Sequence, residues 1–334
     1  MNTPIKVAIN GFGRIGRNLF RLLINHKSIQ VVAINDLADT KTLSHLLKYD
    51  SIHGVLPFEV SHTPDHIVVN KKSIPLLNKK APENCNWSAY DVDIVIESTG
   101  KFKTRELAEK HLEAGAKKVI LSAPPLEDSI KTVVLGVNDH ILDGMETIIS
   151  NASCTTNNAA PMIKVINDLC GIEQAYITTI HSYTTDQSLH DQPHRDLRRA
   201  RAASQSIVPT TTGAAKALTK VFPELSNVIG GCGIRVPVPD GSLTDITFNV
   251  KKEISIQEIN QAFKNASDSY LKDILAYTED PIVSVDIIGN PHSCVFDSLM
   301  TSVIGKMVKI IGWYDNEIGY SHRIIDLIIN ICKK

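Results

Sequence analysis

A glycine-rich turn near the start of the chain limits the folds that the sequence can adopt. Residues 11–16 read Gly-Phe-Gly-Arg-Ile-Gly, directly after the apolar segment Val7–Ile9 and directly before an amphipathic segment at Arg17–Lys27. A strand, a glycine turn and a helix in this order are typical of the first βαβ unit of a parallel sheet. The sequence therefore predicts an α/β domain that begins close to residue 1.

The residues of this turn and the spacing after it indicate a ligand class. Gly11 permits a tight turn, Gly13 lets the backbone approach a pyrophosphate, and Gly16 lets the helix pack closely on the strand. Asp36 ends the next predicted strand, where a carboxylate can accept hydrogen bonds from the adenosine ribose and repel a 2′-phosphate. The alternative is a turn that serves packing alone, with Asp36 as a helix cap. The full spacing favours a dinucleotide site that prefers NAD to NADP.

The first 150 residues continue the alternation of strands and helices. A second amphipathic helix is predicted at Thr104–Gly115. Strands are predicted at Lys6–Asn10, Val31–Asp36, Asp93–Ser98, Lys118–Ser122, Thr132–Val137 and Thr147–Asn151. Strands separated by helix-length connections indicate a mostly parallel sheet. We therefore expect a first domain at residues 1–150.

The pattern changes after residue 154, where strands come to outnumber helices. The polar stretch Ser182–Ser206 is too long for an ordinary connection and is predicted to be a functional loop. Strands are predicted at Tyr176–Ile180, Thr244–Val250, Ile282–Ile287, Val295–Val303 and Met307–Tyr314, and helices at Thr155–Leu169, Ser255–Ala266, Ser267–Leu275 and Asn316–Cys332. This succession predicts a second, α+β domain at residues 151–315 with a mixed or antiparallel sheet.

Composition excludes several functional classes. The 334 residues carry 35 Lys and Arg against 36 Asp and Glu, so no cationic field favours nucleic acid. No apolar run approaches the roughly 20 residues of a membrane span, and residues 1–6 lack an apolar signal core. The six cysteines are scattered without a Cys-x-x-Cys pair, which argues against a disulfide scaffold or a structural zinc site. We expect a cytoplasmic protein without a metal.

One cysteine lies in a setting that suits a nucleophile. Cys154 stands where a predicted strand gives way to a helix, and a helix N-terminus favours the thiolate. Its partner is predicted to be His181, at the end of the strand Tyr176–Ile180, which can exchange a proton with the thiol. Alternatively, Cys154 is a buried small residue and His181 a structural histidine. His190 and His194 are predicted to be loop residues, because Pro193 interrupts any helix that would align them.

Several groups that bind anions follow along the chain. Four arginines lie in the polar stretch, at positions 195, 198, 199 and 201, and Arg235 follows a glycine-rich segment. The segment Thr210–Ala214 opens a further helical stretch with hydroxyl groups. Guanidinium forks and N–H groups at a helix start suit phosphate oxygens. We expect at least two of the four loop arginines to form salt bridges or a subunit interface instead.

Taken together, the segments resemble the phosphorylating glyceraldehyde-3-phosphate dehydrogenase family in its bacterial form, over essentially the whole chain. The resemblance rests on the segment Ile5–Arg17, on Ser-Asn-Ala-Ser-Cys-Thr-Thr-Asn at 150–157, on His181–Thr184, on Arg195–Ala202 and on Trp313–Glu317. It implies an N-terminal Rossmann domain that binds NAD, a catalytic domain, and a C-terminal helix at 316–334 that packs back on the first domain. The family is tetrameric, and its arginine-rich loop lies at subunit contacts.

The resemblance also implies roles for individual residues. Cys154 would be the nucleophile and His181 its base. The cofactor positions would be Gly11, Gly13, Arg14, Ile15, Gly16, Asp36, Lys80, Ser122 and Asn316. The pockets for the substrate phosphate and for inorganic phosphate would be formed by Ser153, Thr155, Thr184, Arg199, Thr212, Gly213 and Arg235. The implied reaction oxidises glyceraldehyde 3-phosphate to 1,3-bisphosphoglycerate through a cysteine hemithioacetal and a thioester.

The chain departs from the family pattern at three places. Asn158 stands where members often have a second cysteine, so Cys154 has no disulfide partner in its helix. Lys80 replaces an arginine near the adenine, and Gln192 replaces a leucine that helps to exclude NADP, so NAD preference rests mainly on Asp36. Two other functions stay open at this point: an erythrose-4-phosphate dehydrogenase, in which water releases the acyl group, and a non-catalytic scaffold that binds NAD or RNA.

Overall fold

The computed structural model describes residues 3–333, which form two compact units. The first unit comprises residues 3–133, 141–152 and 324–333, and the second comprises residues 134–140 and 153–323. The predicted ranges 1–150 and 316–334 also include residues 1, 2 and 334, which lie outside the described part. Within residues 3–333, no helix combines the length and the apolar character that crossing a membrane requires.

The first unit is built around a mostly parallel sheet. Its strands are β1 (Ile5–Asn10), β2 (Ile29–Asn35), β3 (Tyr49–Asp50), β4 (Gly54–Val55), β5 (Val60–His62), β6 (His66–Val69), β7 (Lys72–Leu77), β8 (Ile94–Glu97), β9 (Lys118–Leu121), β10 (Lys131–Thr132) and β11 (Ile148–Ser150), and its helices are α1 (Arg14–Leu23), α2 (Thr40–Lys48) and α3 (Arg105–Glu113). The main sheet has the order β10-β11-β9-β8-β1-β2-β7-β6-β5. Strand β1 pairs in parallel with both β2 and β8, which confirms the predicted sheet.

Two parts of the first 150 residues differ from the prediction. The segment 60–77 forms three antiparallel strands at one edge of the sheet, where no strand was predicted. The strand predicted at Thr132–Val137 ends at Thr132, because side chains capture the backbone N–H groups beyond it. Asn138 Oδ1 accepts from Val134 N at 2.7 Å, and Asp139 Oδ1 accepts from Gly136 N at 2.9 Å.

The second unit is a mixed sheet covered by helices, as predicted. Its elements are α4 (Cys154–Cys170), β12 (Ile172–Ser182), β13 (Val208–Thr210), α5 (Ala214–Val221), β14 (Ile229–Val236), β15 (Ser242–Val250), α6 (Ile256–Asp268), β16 (Leu275–Thr278), β17 (Cys294–Asp297), β18 (Ser302–Ile304), β19 (Met307–Tyr314) and α7 (Ile318–Lys333), whose last residues belong to the first unit. The sheet order is β13-β14-β12-β15-β19-β17-β16, with β18 on β19. Strand β12 is parallel to β14 and antiparallel to β15.

Three elements predicted in the second unit are wrong. The strand predicted at Ile282–Ile287 is a 3₁₀ turn, because Asp286 Oδ2 accepts from Val283 N at 2.8 Å. No second helix forms over Ser267–Leu275, because α6 ends at Asp268, residues 269–274 form turns and Leu275 begins β16. The long strand predicted at Val295–Val303 is divided into β17 and β18 by a 3₁₀ turn that Asp297 caps. Short polar side chains compete with the regular backbone pattern at two of these positions.

Candidate active site

Cys154 is the first residue of helix α4. Ser153 precedes it in an extended conformation, and its hydroxyl oxygen accepts from Thr156 N at 3.1 Å, which caps the helix. Ala152 adopts the left-handed conformation with φ +55°, a strained geometry for a residue with a side chain. The turn therefore fixes the direction in which the helix begins. As a whole residue, Cys154 keeps partial exposure to solvent.

His181 lies opposite this cysteine, near the end of strand β12. Alternate residues of β12 are buried, and Ile177, Thr179 and His181 share the inner face. The structure places His181 Nε2 3.5 Å from Cys154 Sγ. His181 Nδ1 lies 2.8 Å from the carbonyl oxygen of Ser182, which can only accept a hydrogen bond. With the proton on Nδ1, donated to this carbonyl, the lone pair of Nε2 faces the thiol.

Arg235 adds a positive charge next to this pair. It pairs with His181 across β12 and β14, and its Nη1 lies 2.9 Å from Ser182 O and 2.8 Å from His181 Nδ1. Burial, together with the charge of Arg235, lowers the pKa of His181 to about 3. Burial also raises the pKa of Cys154, although Arg235 and the Thr155 N–H partly offset this. At neutral pH the structure thus holds a thiol and a neutral imidazole.

This protonation state differs from the sequence expectation that the helix start favours a thiolate. Two physical reasons account for the difference. The Ser153 hydroxyl accepts the Thr156 N–H, so this donor of the first turn is already used. In addition, removal of water disfavours the charged form of any titratable group, and here that effect outweighs the nearby guanidinium.

Tyr314 completes the buried surroundings of the pair, and sequence reasoning gave it no role. Its hydroxyl lies 2.9 Å from Thr155 Oγ1, and its ring packs edge-on against His181 with centroids 5.9 Å apart. Burial raises the pKa of Tyr314, which keeps the phenol protonated. The residue could have been found from its motif, because it lies two positions before Asn316 in the segment Trp313–Glu317.

Asn316 follows β19 and carries an amide whose two ends differ. Its Oδ1 accepts from the hydroxyls of Ser182 and Ser242, each at 2.8 Å. Its Nδ2 makes no hydrogen bond to any group in the described residues, although Asn316 is only 7% exposed. The amide therefore offers two N–H donors to a ligand carbonyl.

The glycine turn of the first unit has the geometry that a dinucleotide needs. Gly11 has φ +95°, and a Cβ at Gly16 would come within 2.2 Å of Gly11 O. Gly13 begins α1 without a capping side chain, and a Cβ there would meet nothing within 4 Å. The N–H groups at a helix start without a side-chain cap, beside open space, are suited to phosphate oxygens. The residues of this turn thus fit a pyrophosphate.

Asp36 is oriented by the same turn. Its Oδ2 accepts from Phe12 N at 2.7 Å and its Oδ1 from Ala38 N at 3.0 Å. Asp39, not Asp36, caps the following helix by accepting from Thr42 N at 2.8 Å. The alternative role of Asp36 as a helix cap is therefore wrong. Each carboxylate oxygen keeps a lone pair for a ribose hydroxyl.

The other cofactor candidates of the first unit lie at the ends of its strands and helices. Arg14 and Ile15 open α1, and Ser122 follows β9 with its N–H bonded to Glu97 O at 2.9 Å. The Arg14 guanidinium lies 2.6 Å from Asp50 Oδ2. Although burial opposes it, hydrogen bonds from His53, Ile52 and Arg14 lower the pKa of Asp50 to about 2. Lys80 is exposed beyond β7.

The anion-binding candidates of the second unit are only partly committed to protein partners. Arg199 forms a salt bridge with Asp186 and donates from Nε to Thr210 Oγ1 at 2.9 Å. Gly213 precedes α5 without a side-chain cap, and Thr212 Oγ1 accepts from Ala214 N at 3.2 Å. Arg201 pairs with Asp191 at 2.8 Å, so two of the four loop arginines form salt bridges. Thr184 is half-buried within the same loop.

Comparison with known proteins identifies the family. Residues 5–105 match the model for the NAD binding domain of glyceraldehyde 3-phosphate dehydrogenase, and residues 153–316 match that for its C-terminal domain. The chain belongs to the glyceraldehyde 3-phosphate dehydrogenase family. It is 54% identical over 332 residues to the enzyme of that name from Geobacillus stearothermophilus, covering 99% of both chains. It is 52% identical over 332 residues to glyceraldehyde-3-phosphate dehydrogenase 1 of Bacillus subtilis, again covering 99% of both chains.

Two departures from the pattern of the glyceraldehyde 3-phosphate dehydrogenase family have a clear setting in the structure. Asn158, one turn after Cys154, is buried and donates from Nδ2 to Trp313 O at 3.2 Å. It therefore ties α4 to β19 where a cysteine would carry a second thiol. Gln192 is exposed and donates to the hydroxyl of Ser188 within the arginine-rich loop. All six cysteines lie within the described residues and are free thiols.

Proposed function

We propose that this chain catalyses the NAD-dependent oxidative phosphorylation of D-glyceraldehyde 3-phosphate to 1,3-bisphosphoglycerate. The observation that carries the proposal is the 3.5 Å approach of Cys154 Sγ to His181 Nε2. A nucleophile with an adjacent base suits acyl chemistry on a carbonyl substrate. The family membership and the NAD binding domain support the same reaction.

The protonation state supports a proton transfer that accompanies attack. Because the imidazole and the thiol are both neutral, the Sγ proton passes to Nε2 as sulfur adds to the aldehyde carbon. The resulting imidazolium then donates the proton to the alkoxide, which gives a hemithioacetal. In the next step Nε2 takes this hydroxyl proton back. NAD, when bound, accepts the hydride that leaves the same carbon.

The product of this step is a thioester on Cys154, which inorganic phosphate then attacks at the carbonyl carbon. The C–S bond breaks, the thiolate recovers a proton from His181, and the acyl phosphate leaves. Candidates for the two phosphate pockets are Ser153, Thr155, Thr184, Arg199, Thr212, Gly213 and Arg235. The uncapped start of α5 beside Thr212, and the guanidinium groups of Arg199 and Arg235, support this role.

The cofactor is proposed to be held by Gly11, Gly13, Arg14, Ile15, Gly16, Asp36, Lys80, Ser122 and Asn316. Asp36 supports preference for NAD, because its carboxylate is fixed by two backbone N–H groups and would repel a 2′-phosphate. The free Nδ2 of Asn316 supports a hydrogen bond to the carboxamide of the nicotinamide.

We also propose that the chain acts as a homotetramer in the cytoplasm. The arginine-rich loop carries Leu189 and Leu197 with 70% and 81% of their surfaces exposed, and Ile207 just beyond it is 68% exposed. Exposed apolar side chains of this size in one segment support a subunit contact. Six free cysteines support a reducing compartment.

One experiment tests the reaction and its closest rival together. Reduction of NAD and of NADP is followed by absorbance with glyceraldehyde 3-phosphate or erythrose 4-phosphate, each with and without phosphate. We expect fast turnover with glyceraldehyde 3-phosphate, NAD and phosphate. Turnover that prefers erythrose 4-phosphate and ignores phosphate would support the erythrose-4-phosphate dehydrogenase, and no reduction with any substrate would support a non-catalytic scaffold.

A further inference from the structure

A closed hydrogen-bond triangle surrounds the amide of Asn316. It joins the end of β12, the start of β15 and the residue two positions beyond β19. Ser182 and Ser242 are 0% and 1% exposed, so water does not replace their bonds. The reaction proposed above uses neither hydroxyl, although both serines lie next to its central residues.

The hydrogens in this triangle have a consistent direction. The backbone N–H of Ser182 donates to Ser242 Oγ at 3.1 Å, and Ser242 Oγ donates to Asn316 Oδ1 at 2.8 Å. Ser182 Oγ donates to the same Oδ1 at 2.8 Å. With the amide reversed, each serine would accept from Asn316 and keep a buried hydroxyl hydrogen, and the two hydroxyls are 3.5 Å apart. A buried donor without an acceptor is costly, so the two serines favour one orientation of the amide.

The geometry points to Ser182 and Ser242 as positioning residues that hold the Asn316 amide with its N–H groups toward the carboxamide of the nicotinamide. This inference rests on the proposed function, because it assigns the ligand of Asn316. Without the serines, the amide could turn its oxygen toward the carboxamide. The nicotinamide ring would then lose one of the hydrogen bonds that fix its orientation.

Ser182 also links this amide to the catalytic base. Its carbonyl oxygen lies 2.8 Å from His181 Nδ1, while its N–H and hydroxyl belong to the triangle. One residue thus contacts both the imidazole of His181 and the amide that orients the cofactor. A backbone shift at Ser182 would disturb both, whereas loss of its hydroxyl alone would disturb only the amide.

The test compares two ligands on the intact protein. NAD carries the nicotinamide, whereas ADP-ribose keeps the adenosine and the pyrophosphate but lacks it. Binding of both is measured by calorimetry for the wild type, Ser182→Ala, Ser242→Ala and the double variant. We expect the double variant to bind NAD about tenfold more weakly and ADP-ribose with unchanged affinity, each single variant showing a smaller loss for NAD.

The strand β15 provides a matched control. Thr244 lies two residues after Ser242, is 0% exposed, and its hydroxyl has no hydrogen-bond partner among the described residues. Thr244→Val removes a buried hydroxyl at nearly constant volume and should leave both affinities unchanged. An equal loss for NAD and ADP-ribose in the double variant would show a general structural role, and wild-type NAD binding in that variant would show no role. Either result overturns the inference.

A second readout reports on the orientation of the ring. The aldehyde is supplied with deuterium on the reacting carbon, and the reduced cofactor is examined by NMR for the face of the ring that received it. We expect one diastereomer from the wild type and from Thr244→Val, and a mixture from the double variant. A single diastereomer from the double variant would contradict the inference. A different result would overturn the proposed function alone: the double variant binds NAD more weakly than the wild type, but the wild type oxidises no aldehyde.

Discussion

Helices α1 and α4 begin in similar sequence contexts, each after a strand of the parallel sheet, yet their first turns differ. Helix α1 is preceded by Gly13, which provides no capping side chain, and has no acidic residue in its first turn. Helix α4 is preceded by Ser153, whose hydroxyl caps it by accepting from Thr156 N. The N–H donors of the first helix therefore meet no capping side chain, whereas the second helix uses at least one donor within the protein.

The two helix starts therefore depend on different interactions for their function. At α1 the uncapped helix start and the helix dipole attract an anion, and the open space at Gly13 admits it. At α4 the reactivity of Cys154 depends on burial, on Arg235 and on His181 rather than on the helix start alone. The start of α5 is intermediate: Gly213 provides no side-chain cap, but Thr212 Oγ1 accepts from Ala214 N, so one donor is already used within the protein.

Cys154→Ser should have the largest effect, because it removes the chemistry at the start of α4 and leaves cofactor binding at the start of α1 intact. A serine hydroxyl is a far weaker nucleophile beside the same base, so turnover should fall about 10⁴-fold. The dissociation constant for NAD should stay within about twofold, because the change leaves the donors of α1 untouched. Steady-state absorbance assays and calorimetry measure the two quantities. Loss of turnover and of NAD binding together would indicate misfolding, which circular dichroism would reveal.

Gly13→Ser should give α1 the kind of side-chain cap that Ser153 provides for α4. Gly13 has φ −71° and ψ −156°, which a serine cap can adopt, and a Cβ there meets no atom within 4 Å. The new hydroxyl should cap α1 and compete with the phosphate oxygens, so NAD affinity should fall about tenfold or more. The protein without NAD should keep its stability or gain a few tenths of a kcal/mol. Unchanged NAD affinity would show that the donors of α1 do not bind phosphate.

A smaller effect is expected from Asp36→Ala, which removes the carboxylate that Phe12 N and Ala38 N hold. The ratio of kcat/KM for NAD to that for NADP should fall about tenfold, because a charged hydrogen-bond acceptor is lost and a repulsive charge is removed. Asp39→Ala, which removes only the cap of α2, serves as the control. If the ratio stayed the same in Asp36→Ala, the carboxylate would not determine cofactor preference.

The burial of His181 beside Cys154 predicts that the stability of the protein depends on pH. The pKa of His181 is about 3 in the folded protein and near 6.5 in an unfolded chain. Between these values the unfolded chain binds a proton that the native state does not, so stability falls as pH drops below about 6.5 and is retained above it. The slope from this group approaches about 1.4 kcal/mol per pH unit.

Urea unfolding of the wild type and of His181→Asn between pH 5 and pH 7.5 measures this effect. The stability difference between the two proteins should shift in favour of the variant as the pH falls, because asparagine binds no proton. His190→Asn, at an exposed histidine of the same unit, should give no such change. A constant difference between wild type and His181→Asn would contradict the buried, neutral state of His181.

The sequence predicted the fold class because its signals are local. The glycine turn, the alternation of strands and helices, and the change of pattern after residue 154 each depend on neighbours along the chain. Predictions failed where a side chain took a backbone hydrogen bond that a strand would have used. Asn138 and Asp286 end regular structure in this way, at places where apolar residues alone favoured a strand.

By itself, the sequence determined that a glycine turn, an acidic residue after the second strand, a cysteine at a helix start and a histidine at a strand end occur in one chain. Only the tertiary structure decided the distance between Sγ of Cys154 and Nε2 of His181, the neutral state of both groups, and the triangle around Asn316. The physical reason is that desolvation and hydrogen-bond direction depend on residues such as Arg235, Ser242 and Tyr314. These residues are distant along the chain and become neighbours only when the sheet of the second unit forms.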